Sequence, residues 1–158
     1  GVNPHDDLSP KESAQIIMSH IIKGVEKAKK HKLPEALIDF IRTHHGTRKT
    51  GYFYALARQQ HDEEGFNEED YTYHGPVPYS RETAVLMMAD SVEAASRSLV
   101  RPDEGKIENL VEQIISDQLE NSQFDNADIT LRDISKAKKI LKRKLMNIYH
   151  LRIEYPEV

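Results

Sequence analysis

The chain has 158 residues, enough for one domain with a hydrophobic core, and we expect no second core. Its net charge of −4 and the lack of a Lys/Arg track argue against DNA as a partner. It has no cysteine, which excludes disulfides and thiolate metal sites and leaves His, Asp and Glu as the strong ligands. Nothing reads as a membrane span or signal peptide, so we expect a soluble piece, and the start Gly1-Val2-Asn3-Pro4 predicts a fragment of a longer protein.

Two helices joined by a short turn are predicted at the beginning. Ser9, Pro10 and Glu12 are typical of a helix start with a capping box and proline in the first turn. The apolar stripe that follows comprises Ile17, Ile21, Val25 and Ala28. His20 falls on this stripe. The second helix begins near Pro34 and is stopped by Gly46. Its inward-facing residues are predicted to be Leu37, Phe40 and Ile41, and His44 extends their stripe.

Residues 51–60 predict a short helix, and 61–79 predict a long ordered loop with at most one helical turn, around Asn67 to Asp70. Ser80 starts the next helix. Its predicted core residues are Val85, Met88, Ala89, Val92 and Leu99.

Two further helices complete the pattern. The helix that follows Pro102 and Asp103 is predicted to bury Ile107, Leu110, Val111 and Ile114. The helix that Thr130 and Asp133 open is predicted to bury Ile134, Ala137, Leu141, Leu145 and Ile148. The fold class is therefore all-α, a single domain over 1–158 built as a bundle of five or six helices.

Three histidines are the strongest candidates for chemistry. Antiparallel helices joined by a short turn can bring His20 near the adjacent pair His44 and His45. Neutral imidazole suits Zn, Fe, Mn, Co or Ni, and a carboxylate, for which Asp90 is the candidate, would favour Fe or Mn. The alternative is that these histidines are ordinary hydrogen-bonded core residues, with His45 the exposed partner of a buried His44. The pattern alone does not decide between the two.

Several stretches carry a family resemblance: "NPHDDLSP" at 3–10, "SHIIKGVEKA" at 19–28, "LPEALIDFIRTHHGT" at 33–47, "MMADSVEAASRSL" at 87–99 and "IYHLRIEYP" at 148–156. The chain resembles the C-terminal part of an HD-domain metal-dependent phosphohydrolase, in the PgpH-type, seven-transmembrane-receptor HD subgroup that hydrolyses cyclic di-AMP. The resemblance implies that His20, His44, His45 and Asp90 are ligands in a site for two divalent transition metals, Fe or Mn. It also implies a cytoplasmic domain of a membrane-anchored protein.

The same resemblance implies that part of the site is missing. An upstream His and a His-Asp doublet of the family precede "NPHDDLSP", so we predict an N-terminally truncated domain that is inactive alone, with no ion or one. Neither His5-Asp6, in a Pro-flanked loop, nor His61-Asp62, in the acidic insert, is expected to replace that doublet. The uncovered apolar face could be hidden in a homodimer.

The implied reaction is two-metal hydrolysis of cyclic di-AMP to linear pApA. Arg97 and Arg152 are candidates to bind a phosphate, and the alternative for each is an ion pair, with Glu93 or Glu154. Stacking on adenine is considered for Tyr52, Tyr54 and Tyr73. Hydrolysis of another nucleotide, or a non-catalytic helical regulatory module, stays open as an alternative function.

Overall fold

The computed structural model describes residues 8–60 and 66–150, and it separates into two compact units, Gly1–Val77 and Pro78–Val158. The described part contains six α-helices: α1 (Pro10–Lys30), α2 (Glu35–Thr43), α3 (Gly51–Gln60), α4 (Arg81–Ser96), α5 (Glu104–Glu120) and α6 (Leu131–Ile148). A 3₁₀ turn spans Glu68–Tyr71, and within these residues the β-type pairing is one bridge between Lys49 and Thr72. The all-α prediction is confirmed.

The first unit is organised around α1. The Ser9 hydroxyl accepts from the backbone N–H of Glu12 at 3.2 Å, and the Glu12 carboxylate accepts from the backbone N–H of Ser9 at 3.0 Å, so the predicted capping box starts this helix. α1 packs against α2, α3 and the 3₁₀ turn. At the α2 contact, a Cβ on Gly24 would lie 2.9 Å from Cγ2 of Ile41. Glycine is therefore what permits this close approach, one helical turn after His20.

The second unit has a larger core, formed where α4, α5 and α6 pack on one another. Its buried residues are Ala84, Met87, Met88, Val92, Ile107, Val111, Ile115, Phe124, Ile134, Ala137, Leu145 and Met146. Each helix starts at a side-chain cap, with Ser80, Asp103 and Thr130 accepting from the third backbone N–H beyond them. The three predicted helix starts are confirmed.

Three predicted core positions are wrong. Leu37, Val85 and Ile148 are 47%, 38% and 61% exposed, whereas Ile38 and Met87 are buried. On α2 and α4 the buried face is rotated from the predicted stripe. Periodicity predicts that one face is apolar, but in a run of apolar residues, such as Leu37 and Ile38 or residues 85–88, only the neighbouring helix decides which of them are covered.

Two smaller differences concern Leu99 and α5. Leu99 lies beyond the end of α4 and packs against the core of its unit from there. On α5, Ile115 is fully buried and Ile114 is partly buried. In the described ranges, no helix is long and apolar enough to span a bilayer.

Candidate metal centre

Three imidazoles converge in the first unit. His20 lies in the middle of α1, His44 caps the C-terminus of α2, and His45 follows it. The ring centroid of His20 is 5.3 Å from that of His44 and 5.0 Å from that of His45. The His44 and His45 centroids are 4.1 Å apart. One ligand nitrogen from each ring lies within 4.8 Å of the other two. The predicted convergence is confirmed.

Backbone hydrogen bonds orient two of these rings. Nδ1 of His20 is 2.5 Å from the Ile17 carbonyl oxygen, and Nδ1 of His44 is 2.7 Å from that of Ile41. A carbonyl can only accept, so each Nδ1 carries the hydrogen and donates. In the neutral form of each ring, Nε2 then carries a lone pair that can bind a metal. Metal-binding histidines commonly have this arrangement, in which the other ring nitrogen donates to a carbonyl or carboxylate.

The two lone pairs face each other, with the Nε2 atoms of His20 and His44 3.2 Å apart. Two acceptors at this distance repel unless a proton or a cation lies between them. Nitrogens that are each about 2.1 Å from a shared ion lie about 3.0–3.4 Å apart at bond angles of roughly 90–109°. The spacing and chemistry of this donor set therefore fit one divalent transition metal.

His45 is held in its uncharged form by its surroundings. Burial, the largest cause, acts together with the neighbouring His44, His20 and Arg48 to lower the pKa of His45 to about 3. Its ring stacks on Tyr73, with centroids 4.3 Å apart and an interplanar angle of 22°. A neutral imidazole keeps a lone pair for a metal at any pH near neutrality.

The chain that carries Tyr73 is tied back to the residues after the histidine pair. The Tyr73 N–H donates to the Arg48 carbonyl at 2.8 Å, and the Thr50 N–H donates to that of Tyr71 at 2.7 Å. Gly46 makes the turn between the histidine pair and Arg48, with a φ of +53°, a left-handed conformation that favours glycine. These bonds place the Tyr73 ring against one side of the cluster.

This packing corrects one hypothesis. Tyr73 is 7% exposed and covered by His45, so it is not a free surface for a base, and sequence reasoning missed its role as a wall of the cluster. No periodic signal marks it, because it lies outside the helices. Tyr54 bonds to Glu68 at 2.5 Å, and Tyr52 is 74% exposed.

The other described site residues of the prediction, Asp90 and Arg97, lie in the second unit. Asp90 is half-buried on α4, and its role as a ligand stays a prediction. Arg97, at the end of α4, donates from Nε and Nη2 to the Glu93 carboxylate, both at 2.9 Å, so the ion pair considered as its alternative is present. Arg152 lies outside the described residues.

Residues 1–95 match the HD domain family, and the chain belongs to that family. It is 44% identical over 155 residues to the cyclic-di-AMP phosphodiesterase PgpH of Bacillus subtilis and 41% identical over 157 residues to that of Listeria monocytogenes. These alignments cover 98% and 99% of the chain and 22% of each relative. The chain thus spans about a fifth of the length of these relatives.

A solved structure gives the same result. The chain is similar to the HD domain of the L. monocytogenes phosphodiesterase PgpH in complex with cyclic di-AMP, with a TM-score of 0.88 and 40% identity. The match covers 97% of this chain and 71% of that one. The family resemblance predicted from the sequence motifs is confirmed.

Proposed function

We propose that this chain is part of the catalytic HD domain of a metal-dependent phosphodiesterase that hydrolyses cyclic di-AMP to pApA. The observation that carries the proposal is the cluster of His20, His44 and His45, with two Nε2 lone pairs 3.2 Å apart. It occurs in a chain that is 40% identical to an HD domain solved with cyclic di-AMP. The fold restricts the class of reaction, and the relatives' substrate supports the choice of nucleotide.

In this proposal the three histidines hold one of two Fe or Mn ions and Asp90 binds the second. The metals supply Lewis acidity and lower the pKa of a bound water. The chain's own contribution is to prepare the ligands: the Ile17 and Ile41 carbonyls orient two imidazoles, and burial keeps the third neutral. Tyr73 packs on His45 and shields that side of the cluster from water.

Arg97 and Arg152 are proposed to bind the substrate's phosphates. Arg97 is 74% exposed at its side chain and already pairs with Glu93, so it would have to exchange that carboxylate for a phosphate. Such an exchange is inexpensive, because exposed ion pairs contribute little to stability. A guanidinium can bind phosphate oxygens through two parallel hydrogen bonds.

The whole protein is proposed to be longer and anchored in a membrane, with this domain in the cytoplasm and an upstream His and His-Asp doublet completing the site. The chain's 22% coverage of its relatives supports a longer protein. Fractionation of cells that produce the full-length protein would test the anchoring.

Hydrolysis by the full-length protein tests the function. With Mn²⁺ and cyclic di-AMP we expect pApA, resolved by chromatography, and a His44→Ala variant should lose nearly all of it. His31→Ala is the control, because His31 is an exposed histidine at the end of α1, outside the cluster. Turnover that survives His44→Ala would contradict the proposed ligands. Hydrolysis of only another nucleotide would contradict the substrate, and a metal-free, inactive protein would indicate a regulatory module.

A further inference from the structure

Six of the seven basic residues of α6 fall into two sets, and the seventh, Lys144, belongs to neither. The inner set, Lys138 and Lys142, is only 16% and 17% exposed, and both ammonium groups bond to the Glu112 carboxylate of α5, at 2.7 and 2.8 Å. These two lysines stabilise the packing of α6 on α5. The residues of the outer set form no such ion pair with α5 among the described residues.

Four outer cations follow one another at spacings of four, three and four residues: Arg132, Lys136, Lys139 and Arg143. On a helix these spacings align side chains in one row. All four are exposed, on the side of α6 opposite the core residues Ile134, Ala137 and Leu145. We name this row the outer cationic stripe.

The outer cationic stripe is not neutralised within the part of the chain that the structure describes, where Arg132, Lys139 and Arg143 have no ion pair. The one acidic residue of α6 is Asp133. Its carboxylate accepts from the Thr130 N–H and hydroxyl at 3.1 and 2.7 Å and lies 3.6 Å from Nε of Arg81. The acid therefore serves the helix cap, and its carboxylate also attracts Lys136 of the outer cationic stripe.

Such a row is unfavourable by itself, because like charges three or four residues apart destabilise a helix. Its positive charge also contrasts with the net charge of the chain, which is −4. A row of cations on one helix of an acidic chain, three of them without an ion pair among the described residues, is explained by an anionic surface that they contact.

We propose that the outer cationic stripe docks on the anionic headgroups of a phospholipid membrane. An 18-residue helix is about 27 Å long and straight enough to lie along a planar surface. Of the exposed aliphatic residues of α6, Ile140, which is 48% exposed, borders the outer cationic stripe, whereas Leu131 and Ile148 lie toward the core-facing side. An aliphatic side chain beside Lys and Arg suits the headgroup region, where the cations are attracted to acidic lipids.

The same composition argues against a nucleic acid. Proteins that bind single strands place aromatic rings among their cations so that bases can stack, and α6 contains no aromatic residue. The outer cationic stripe therefore offers charge and aliphatic contact, but no stacking surface.

Co-sedimentation of the 158-residue chain with large unilamellar vesicles tests the proposal. We expect binding to vesicles of phosphatidylcholine with about a third phosphatidylglycerol, none to pure phosphatidylcholine, and loss of binding as NaCl is raised from 0.05 to 0.5 M, because salt screens exposed charges. The double variant Lys139→Glu, Arg143→Glu should bind at least tenfold more weakly. The milder Lys139→Gln, Arg143→Gln should show an intermediate loss.

The matched control is Lys29→Glu, Lys30→Glu, which makes the same change of charge at two exposed lysines at the end of α1. It should bind the acidic vesicles like the wild type, and circular dichroism should show that all variants are folded. Equal loss in the control would mean that net charge and not the outer cationic stripe decides binding, which would overturn the proposal. So would equal binding to neutral vesicles, or tighter, stripe-dependent binding to a single-stranded oligonucleotide than to the acidic vesicles.

Discussion

Nε2 of His20 and Nε2 of His44 lie 3.2 Å apart, while the Nδ1 atom of each ring donates to a backbone carbonyl in its own helix. The carbonyls of Ile17 and Ile41 thus orient two acceptors toward each other. Such a pair is unfavourable when the rings are neutral and no cation is present, and a bound metal would remove the repulsion. The two helices therefore hold a geometry that favours the binding of a metal ion.

The first prediction concerns the metal. In calorimetric titrations at pH 7.5, the 158-residue chain should bind one Mn²⁺ or Zn²⁺ ion, and the bound ion should raise the thermal unfolding temperature. His44→Ala should weaken binding by more than about tenfold, since even the loss of a residue that orients a ligand costs that much. His31→Ala should not weaken it. Two ions per chain, or unchanged affinity in His44→Ala, would show that the ligand assignment is wrong.

The second prediction concerns pH. The pKa of His45 is about 3 in the folded chain against 6.5 for an ordinary histidine, so between these values the unfolded state binds a proton that the folded state does not. The contribution of His45 to the free energy of unfolding, measured in EDTA, should therefore be complete above pH 6.5 and fall as the pH drops below it. The limiting slope is about 1.4 kcal/mol per pH unit, an upper bound because the ring is partly exposed.

Urea unfolding at pH 7.5 and 5.5 measures this slope. His45→Asn should reduce it, because the variant removes the proton-binding group but keeps a small polar side chain. Gln59→Asn, an exposed change on α3 that leaves the number of titratable groups unaltered, should keep the wild-type slope. If His45→Asn and the wild type lose stability equally between the two pH values, burial of His45 is not the cause.

The third prediction concerns the contact that brings the two helices together. Gly24→Ala should lower the free energy of unfolding by about 1 kcal/mol, because its Cβ would meet Cγ2 of Ile41 at 2.9 Å and overpacking outweighs the gain in helix propensity. It should also weaken metal binding, since His20 lies one turn away on α1. Ile41→Leu should partly rescue the variant, because leucine has no branch at Cβ.

Gly51→Ala is the matched control for Gly24→Ala. A Cβ on Gly51, the first residue of α3, would meet nothing within 4 Å, so this variant should be neutral or slightly stabilising. A Gly24→Ala chain as stable as the control, with unchanged metal affinity, would show that α1 and α2 can separate without cost to the cluster.

The fourth prediction concerns turnover. The 158-residue chain alone should hydrolyse cyclic di-AMP negligibly, because the proposed second metal needs the upstream His-Asp doublet. The longer protein, assayed at the same Mn²⁺ concentration, is the positive control. Robust pApA formation by the chain alone, lost in His44→Ala, would mean that residues within the chain or a second copy complete the site.

Much of the fold was predictable because helix starts are local. Ser9 with Glu12, Thr130 with Asp133, and the N-cap Ser80 are recognisable over four residues, and the structure has all of them as caps. The buried faces were less predictable. Leu37 and Val85 satisfy the helical period as well as Ile38 and Met87 do, and only the position of the neighbouring helix decides which is covered.

For the candidate site, the ligand chemistry followed from local patterns: no cysteine, a histidine on the stripe of one helix, and a histidine pair at the end of the next. The packing of the helices was needed to show that the three rings meet, that carbonyls of their own helices leave Nε2 unprotonated in the neutral form of two of them, and that Tyr73 covers the third. The difference lies in the sequence separation of the interacting residues. Caps and periodicity depend on residues within a turn or two, whereas the His20–His44 distance depends on how closely Gly24 lets two helices approach.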